Sequence, residues 1–304
     1  MEKILVTGGT GFIGRPVVQE LISRNYEVHV LSSSQGGGGY WQNPANVHIH
    51  RLNILDFCSV QRFLQDHAFS GVIHLAWFAA SGKKAMLADE NIEWTMASLN
   101  LLKAYAQQGG GRFLGAGTVS EYDYSYGYLS EDKTPLNSSF LYGQCKSSLY
   151  NIGRVYALEH AMDFKWARIF NLYGPYEKQA RLVPAVILSM LKGEDVKVSD
   201  CLKFQDYLHV FDAARAVVDL FESKVAGAVN ISSGTPVRLR TIVEKIAELM
   251  SFDGKILWGA LPSYFGDPLV VGSNDKLVHG VGWAQQIGLD AGLQMTIDWW
   301  KENQ

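Results

Sequence analysis

Apolar residues fall into two alternating patterns along the first 170 positions. Short runs at 4–6, 27–31, 47–52, 71–75, 112–116 and 165–169 have the length and β-branched content of buried strands. Between them the spacing turns helical. Val17, Val18, Leu21 and Ile22 share one helix face, and Asp56 is placed to cap a helix over 57–66. Two longer helices are predicted over 86–107 and 140–160, the first stopped by the glycine run 109–111. The run at 71–75 is almost continuously apolar, as in a strand covered on both faces. Strands alternating with helices in this way predict a doubly wound parallel α/β sheet of the Rossmann kind. From 171 onward the pattern changes to helices at 182–192, 210–222, 239–250 and 287–302, with short strands and turns between them. The expected partition is therefore a domain over 1–170 and a smaller C-terminal α/β lobe over 171–304, with some segments of the lobe returning to the first domain.

Composition narrows the class of partner. The chain has 304 residues and a net charge of −3, without a basic block, which argues against nucleic acid and against an anionic membrane surface. No apolar run approaches the roughly 20 residues of a membrane span. The first strand begins so close to Met1 that no signal peptide is expected, and a cytoplasmic location follows. The three cysteines, Cys58, Cys145 and Cys201, are far apart and lack metal-ligand spacing, so they read as reduced thiols and no metal centre is expected.

Two stretches carry chemistry. The first is Gly8-Gly9-Thr10-Gly11-Phe12-Ile13-Gly14, between a predicted strand and a predicted helix. Gly8 suits a tight turn, Gly11 admits a pyrophosphate close to the backbone, and Gly14 lets helix and strand pack closely, with the anion on helix N-terminal N–H groups. The next strand ends in Ser32-Ser33-Ser34, with no acidic side chain for a ribose 2′-hydroxyl. Serine hydroxyls and Arg15 suit a 2′-phosphate, which favours NADP(H) over NAD(H). The second stretch is Tyr142-Gly143-Gln144-Cys145-Lys146, with phenol and ammonium on one helix face. A nearby lysine is expected to lower the tyrosine pKa toward the range useful for proton transfer. Thr118 follows the fifth strand, where parallel sheets present catalytic groups. Together Thr118, Tyr142 and Lys146 can bind a carbonyl or carbinol oxygen while a nicotinamide exchanges hydride at the attached carbon.

With these motifs the chain resembles the extended short-chain dehydrogenase/reductase family, within its nucleotide-sugar epimerases, dehydratases and reductases. The resemblance also rests on Val72-Ile73-His74-Leu75-Ala76, Asn91, Leu99-Asn100-Leu101-Leu102, Glu131-Asp132, Thr134-Pro135, the segment from Arg168 to Pro175, Asp206-Tyr207 and Asn230-Ile231-Ser232-Ser233-Gly234. It implies that Asn53 and Ile54 face the adenine, that Leu75 and Ala76 lie on the ribose side, and that Asn91 and Phe170 belong to the cofactor set. It also implies that Asn171 meets the diphosphate of a sugar nucleotide, and that the two long helices pair with their mates in a homodimer. Departures from the family pattern refine this. Val119-Ser120 stand where dehydratases carry an Asp-Glu pair, which argues against 4,6-dehydration, and the lack of a glutamate there also argues against uronic-acid decarboxylation. Glu121-Tyr122-Asp123 replaces a common Val-Tyr-Gly, and Tyr122 with the loop 124–128 is expected to shape the sugar pocket. Gln205 replaces an arginine that binds diphosphate, so Arg181 or Lys192 would supply the charge.

Two reactions suit the same trio. The expected one is reduction of a nucleotide-linked 4-keto-6-deoxyhexose, with Tyr142 as proton donor. The alternative is 4-epimerisation with NAD. A reading from another class, a non-catalytic dinucleotide-binding protein, is disfavoured because Thr118, Tyr142 and Lys146 are all present.

Overall fold

The computed structural model describes residues 1–33, 40–41, 44–78, 82–263 and 268–303. Ser34 and the loop expected over 35–39 lie outside the described residues. β1 (Lys3–Thr7) leads through the glycine turn into α1 (Gly14–Ser23), which buries Val17, Val18, Leu21 and Ile22. β2 (Glu27–Ser32) and β3 (Val47–Arg51) follow. Asp56 then caps α2 (Phe57–Asp66), its carboxylate accepting from Ser59 N at 3.1 Å. After β4 (Gly71–His74), the single helix predicted over 86–107 is two, α3 (Gly82–Leu87) and α4 (Glu90–Gln107). Asn91 explains the break. Its buried amide donates to the Ala85 and Ala88 carbonyls at 2.9 and 2.8 Å, satisfying acceptors at the end of α3.

The chain continues through β5 (Arg112–Thr118), β6 (Tyr128–Leu129), α5 (Leu141–Glu159), β7 (Asp163–Ile169) and β8 (Asn171–Tyr173). β5 runs two residues further than its apolar pattern predicts, because Gly117 and Thr118 still pair with Arg168 and Ile169 of β7. A Cβ at Gly117 would lie 2.2 Å from the Trp166 indole nitrogen, so the glycine makes room for that ring. Next come α6 (Leu182–Leu191), β9 (Val196–Lys197), β10 (Phe204–His209), α7 (Val210–Glu222), β11 (Gly227–Ile231) and β12 (Pro236–Arg238). α8 (Leu239–Leu249), β13 (Ile256–Leu257), β14 (Leu269–Gly272) and α9 (Leu289–Glu302) complete it.

Seven strands form the main sheet in the order β11-β7-β5-β4-β1-β2-β3, and every pairing is parallel. This is the doubly wound sheet expected from the pattern. One face packs under α1 and α7, the other under α2, α4 and α5. Strand order reverses at β1, which places a crevice at the carboxyl ends of β1 and β4. The segment α7–β11 belongs to this sheet although it follows β8 in the chain. A second sheet, β12-β10-β14-β6 with β8 beside β10, packs with α6, α8 and α9 around a separate apolar core. Trp300 is buried in that core and Trp299 packs at a tilt against Tyr176 with ring centroids 4.5 Å apart, so both tryptophans dock α9. Among the described residues no helix is long and apolar enough to cross a membrane.

Candidate active site

The glycine turn sits at the reversal of strand order. Gly8 has φ +73°, and a Cβ on it would lie 2.7 Å from the backbone nitrogen of Ala76. A Cβ at Gly14 would lie 2.0 Å from the Gly8 carbonyl, so the helix starts closer to the turn than any side chain permits. At Gly11 the same atom would meet Gly8 O at 3.2 Å and no other described atom within 4 Å. Leu75 N donates to Thr7 O at 3.0 Å and Ala76 N to Thr7 Oγ1 at 3.3 Å, which brings both residues beside the turn. Phe12 and Ile13 pack on the apolar core beneath α1. Such a cradle, with helix N-terminal N–H groups above it, fits a dinucleotide pyrophosphate. The residues that would hold it are Gly8, Thr10, Gly11, Phe12, Ile13 and Gly14, with Leu75 and Ala76 alongside.

A chain of buried hydrogen bonds fixes this edge. Ser98 Oγ donates to Trp94 O at 2.6 Å, so it accepts from His74 Nε2 at 2.8 Å. His74 Nδ1 then accepts from Thr7 Oγ1 at 2.7 Å, leaving Thr7 to accept from Ala76. Burial, with Lys146 adding repulsion, holds His74 down to about 3, so the ring is neutral. It is a satisfied core residue.

Around the β2 terminus the structure alters the reading for a 2′-phosphate. Ser32 is buried, and its hydroxyl lies 3.3 Å from Thr10 Oγ1. Arg15 donates to Thr10 O at 2.8 Å, and its guanidinium lies 4.5 Å from the Tyr176 ring centroid and 5.2 Å from that of Tyr40. The cation is thus engaged by the turn and by two aromatic faces. Ser33 is exposed. Asn53 is exposed and its side chain accepts from Leu55 N, whereas Ile54 is buried in the core under α2.

Thr118 at the end of β5 and Tyr142 and Lys146 on α5 meet as one group. The Thr118 side chain lies close enough to the Tyr142 phenol to favour its ionised form. Lys146 is buried, donates to Ala116 O at 2.7 Å, and holds its nitrogen 3.6 Å from the Trp77 ring centroid. The expected lowering of the phenol pKa by Lys146 is corrected. Burial pushes Tyr142 up to about 12, opposed by the Thr118 side chain. Burial also brings Lys146 down to about 7, opposed by Glu121, which leaves the amine only partly charged near neutral pH.

Behind Thr118 lies a polar network that the motifs do not reveal. Glu121 is fully buried, and its Oε1 accepts from Thr118 N at 2.8 Å and Trp166 Nε1 at 2.9 Å, while Oε2 accepts from Arg168 Nε at 2.8 Å. Burial opposes the Arg168 charge, yet Glu121 and Tyr122 hold its pKa above the ordinary value. Tyr122 donates to Asn230 Oδ1 at 2.8 Å and accepts from Arg168 Nη1 at 3.0 Å. Tyr122 was expected to line the sugar pocket. It is instead 2 % exposed and built into the framework, its hydroxyl bridging the Arg168 and Asn230 side chains of the paired strands β7 and β11.

Two cofactor assignments are corrected in the same way. Asn91 is buried with both amide hydrogens on carbonyls and its oxygen accepting from Trp77 Nε1 at 2.9 Å, so it positions the tryptophan that faces Lys146. Phe170 is buried in a small apolar cluster with Val119, Tyr122, Leu129 and Val270. On the second sheet, Asn171 donates to Asp206 O at 3.3 Å, and Gln205 pairs in register with Val237 and Val270. Arg181 precedes α6, half exposed, and its charge opposes part of the burial-driven rise in the pKa of Tyr142 and Tyr207. Lys192 stands at the other end of α6, about 16 Å from Arg181 at 1.5 Å per residue, and does not join it. Glu177, absent from the sequence reading, packs beside Arg181 with Oε1 3.5 Å from Arg181 Nε. Its Oε2 has no hydrogen-bond partner among the described residues, and burial pushes the carboxyl up to about 8 against the pull of Arg181.

The doubly wound sheet, glycine turn and Thr–Tyr–Lys group define a dinucleotide-dependent enzyme of the extended short-chain dehydrogenase/reductase class. Residues 4–232 match the NAD dependent epimerase/dehydratase family, and the chain belongs to that family. It is 26% identical over 328 residues to the UDP-N-acetyl-alpha-D-glucosaminuronate decarboxylase of Bacillus cytotoxicus, an alignment covering 99% of this chain and 98% of the relative. Among solved structures it is similar to the UDP-glucose 4-epimerase of Thermotoga maritima with UDP-glucose, at a TM-score of 0.89, 25% identity and 99% coverage of each chain. It is also similar to the UDP-glucose 4-epimerase of Thermus thermophilus in complex with NAD, with a TM-score of 0.85, 25% identity and 99% coverage of each.

The only hint of Glu121 in the sequence is its departure from the usual family residue, and Glu177 has no motif at all. Both generate tests. Glu121→Gln keeps the side-chain shape but leaves the buried Arg168 charge unpaired, and should cost about 3–5 kcal/mol in urea unfolding. Arg168→Met in the same chain should recover much of that loss; a cost under about 1 kcal/mol for the single variant would match an exposed pair instead. Glu177 keeps a proton in the folded chain between its ordinary value of 4.5 and about 8, where the unfolded chain has released it. Its contribution to stability therefore falls as pH rises through that window. Glu177→Gln should raise the melting temperature more at pH 8 than at pH 5, and an equal shift at both would refute the burial effect.

Proposed function

We propose that this enzyme is an NAD-dependent nucleotide-sugar 4-epimerase, acting on a nucleoside-diphosphate hexose. The observation that carries the reading is the Thr118–Tyr142–Lys146 group at the carboxyl edge of a Rossmann sheet, in a chain alignable almost end to end with 4-epimerases. A bound nicotinamide dinucleotide supplies reversible hydride acceptance from the sugar carbon. The protein's own residues handle the proton. Tyr142 takes it from the 4-hydroxyl and returns it to the 4-oxygen of the other epimer, with Thr118 holding the same oxygen. A phenol at about 12 is a poor base by itself; Thr118 and the Arg181 charge favour the phenolate, and a bound oxidised dinucleotide would add positive charge beside it. Lys146 sustains the local field and is held by Ala116 O and the Trp77 face. Val119 and Ser120 supply neither acid nor base, and Ser120 Oγ lies 3.0 Å from the Tyr124 hydroxyl, which supports the reading against dehydration.

NAD replaces the NADP(H) expected from the serines. Ser32 is bound up with Thr10, and Arg15 with the turn and two tyrosines, so the 2′-phosphate loses its best cationic partner. A second reading retains a specific observation in its favour. β2 ends without a carboxylate at Ser32-Ser33, which suits NADPH-driven reduction of a 4-keto-6-deoxy sugar nucleotide. Arg181 is the proposed diphosphate contact, with Asn171 beside β10. We also infer a homodimer through α4 and α5. Ile92 and Met96 on the first helix, and Ile152, Val155 and Leu158 on the second, leave an apolar surface between 47% and 80% exposed.

The purified chain should release NAD on denaturation and interconvert UDP-glucose and UDP-galactose without net change in absorbance of reduced cofactor. Stoichiometric consumption of NADPH with a nucleotide 4-keto-6-deoxyhexose would put the reductase in its place. Tyr142→Phe should lower turnover by about 10²–10⁴-fold with dinucleotide binding retained, and near-normal turnover would remove the proposed proton carrier. By light scattering the wild type should be a dimer and the Val155→Glu, Leu158→Glu variant a monomer; a monomeric wild type would refute the helix-face interface.

A further inference from the structure

Four of the eight histidines gather at the β2–β3 edge of the main sheet, on the face that α2 covers. His29 and His48 are register partners on adjacent parallel strands. Glu27 precedes His29 by two residues and so shares its face. Glu27 Oε1 lies 2.9 Å from His29 Nε2 and 3.5 Å from His48 Nε2, and the three candidate donor atoms all lie within 4.8 Å of one another. Zinc–nitrogen and zinc–oxygen bonds of about 2.0–2.2 Å put adjacent tetrahedral ligands about 3.3 Å apart. The two measured separations bracket that edge.

The surroundings complete the donor set. His29 Nδ1 lies 2.9 Å from His50 Nε2, with the two rings stacked 7° from parallel. When His29 presents Nε2 as a lone-pair donor, its Nδ1–H can donate to His50, the kind of outer contact that fixes the tautomer of a ligating imidazole. His48 is 46% exposed and Glu27 23%, so one side of the cluster opens to solvent and leaves room for water ligands. Lys3 lies 3.5 Å from the same Glu27 oxygen, but half exposed it can turn away to water. Two imidazoles and one carboxylate suit an ion of the zinc class better than magnesium or calcium.

We propose that Glu27, His29 and His48 form a site for a divalent transition-metal ion of the zinc class, with His50 as the orienting partner of His29. Glu27 opens β2 and Ser32 closes it, so at about 3.3 Å per residue His29 lies roughly 10 Å and Glu27 roughly 16 Å along the strand from its carboxyl end, where the glycine turn sits. The site is therefore separate from the catalytic group. The ion would pin β3, the edge strand, to β2. The absence of cysteine spacing, which argued against a metal centre, does not bear on a site made from two strands.

The test is calorimetric titration of the full, untagged chain with Zn²⁺, followed by thermal melting. One Zn²⁺ should bind per chain and raise the melting temperature, and Mg²⁺ should do neither. Glu27→Gln and His48→Ala, both at exposed or half-buried positions, should each weaken Zn²⁺ binding about tenfold or more. Cys58→Ser, which removes the exposed thiol, should leave it unchanged. No binding by the wild type, an equal response to Mg²⁺, undiminished binding by both ligand variants, or loss of binding in Cys58→Ser would each overturn the proposal.

Discussion

The buried contact between Glu121 and Arg168 is the constraint on which the rest of the active edge depends. One carboxylate oxygen holds the backbone of Thr118 and the indole of Trp166, and the other meets the Arg168 guanidinium. Arg168 passes the connection to Tyr122, Tyr122 to Asn230, and Asn230 to the Leu129 and Ser273 carbonyls. The main sheet and the second sheet are thereby joined through a fully buried polar path. A buried charge of either sign alone would be costly, so the pair stands or falls together. Thr118 is oriented by its outcome.

Desolvation is the common cause of the unusual acid–base behaviour around this edge. It raises the phenol of Tyr142 and the carboxyl of Glu177, and it lowers the amine of Lys146 and the ring of His74. In each case the neutral form gains, whatever the chemical type. A charge brought into so desolvated a region is felt strongly.

Aromatic contacts tie the two halves together on the other side of the glycine turn. Trp299 of α9 packs against Tyr176, Tyr176 meets both Tyr40 and Arg15, and Arg15 donates to the turn at Thr10. The last helix therefore reaches the cofactor cradle through side chains alone. This contact also explains how a residue read as a phosphate ligand can serve the framework. A guanidinium with an aromatic face on its flanks and a carbonyl in front has its favourable partners already.

By itself the sequence determined the parallel sheet, the places of the glycine turn and of the Tyr142–Lys146 pair, and the extent of α7, because these follow from local periodicity and short fixed spacings. Gly8 and Gly14 were legible for a steric reason, the close approach of backbone at both positions. Tertiary structure decided what depends on neighbours distant in the chain. Asn91 turned from the cofactor to the end of α3, Tyr122 and Phe170 turned into the framework, and the Tyr142 pKa rose where a nearby lysine was expected to lower it. Glu121 and Arg168 are 47 residues apart, and no local pattern links them. Burial, and the pairing it forces on polar groups, is a property of the packed molecule, so it becomes readable only when the strands lie side by side.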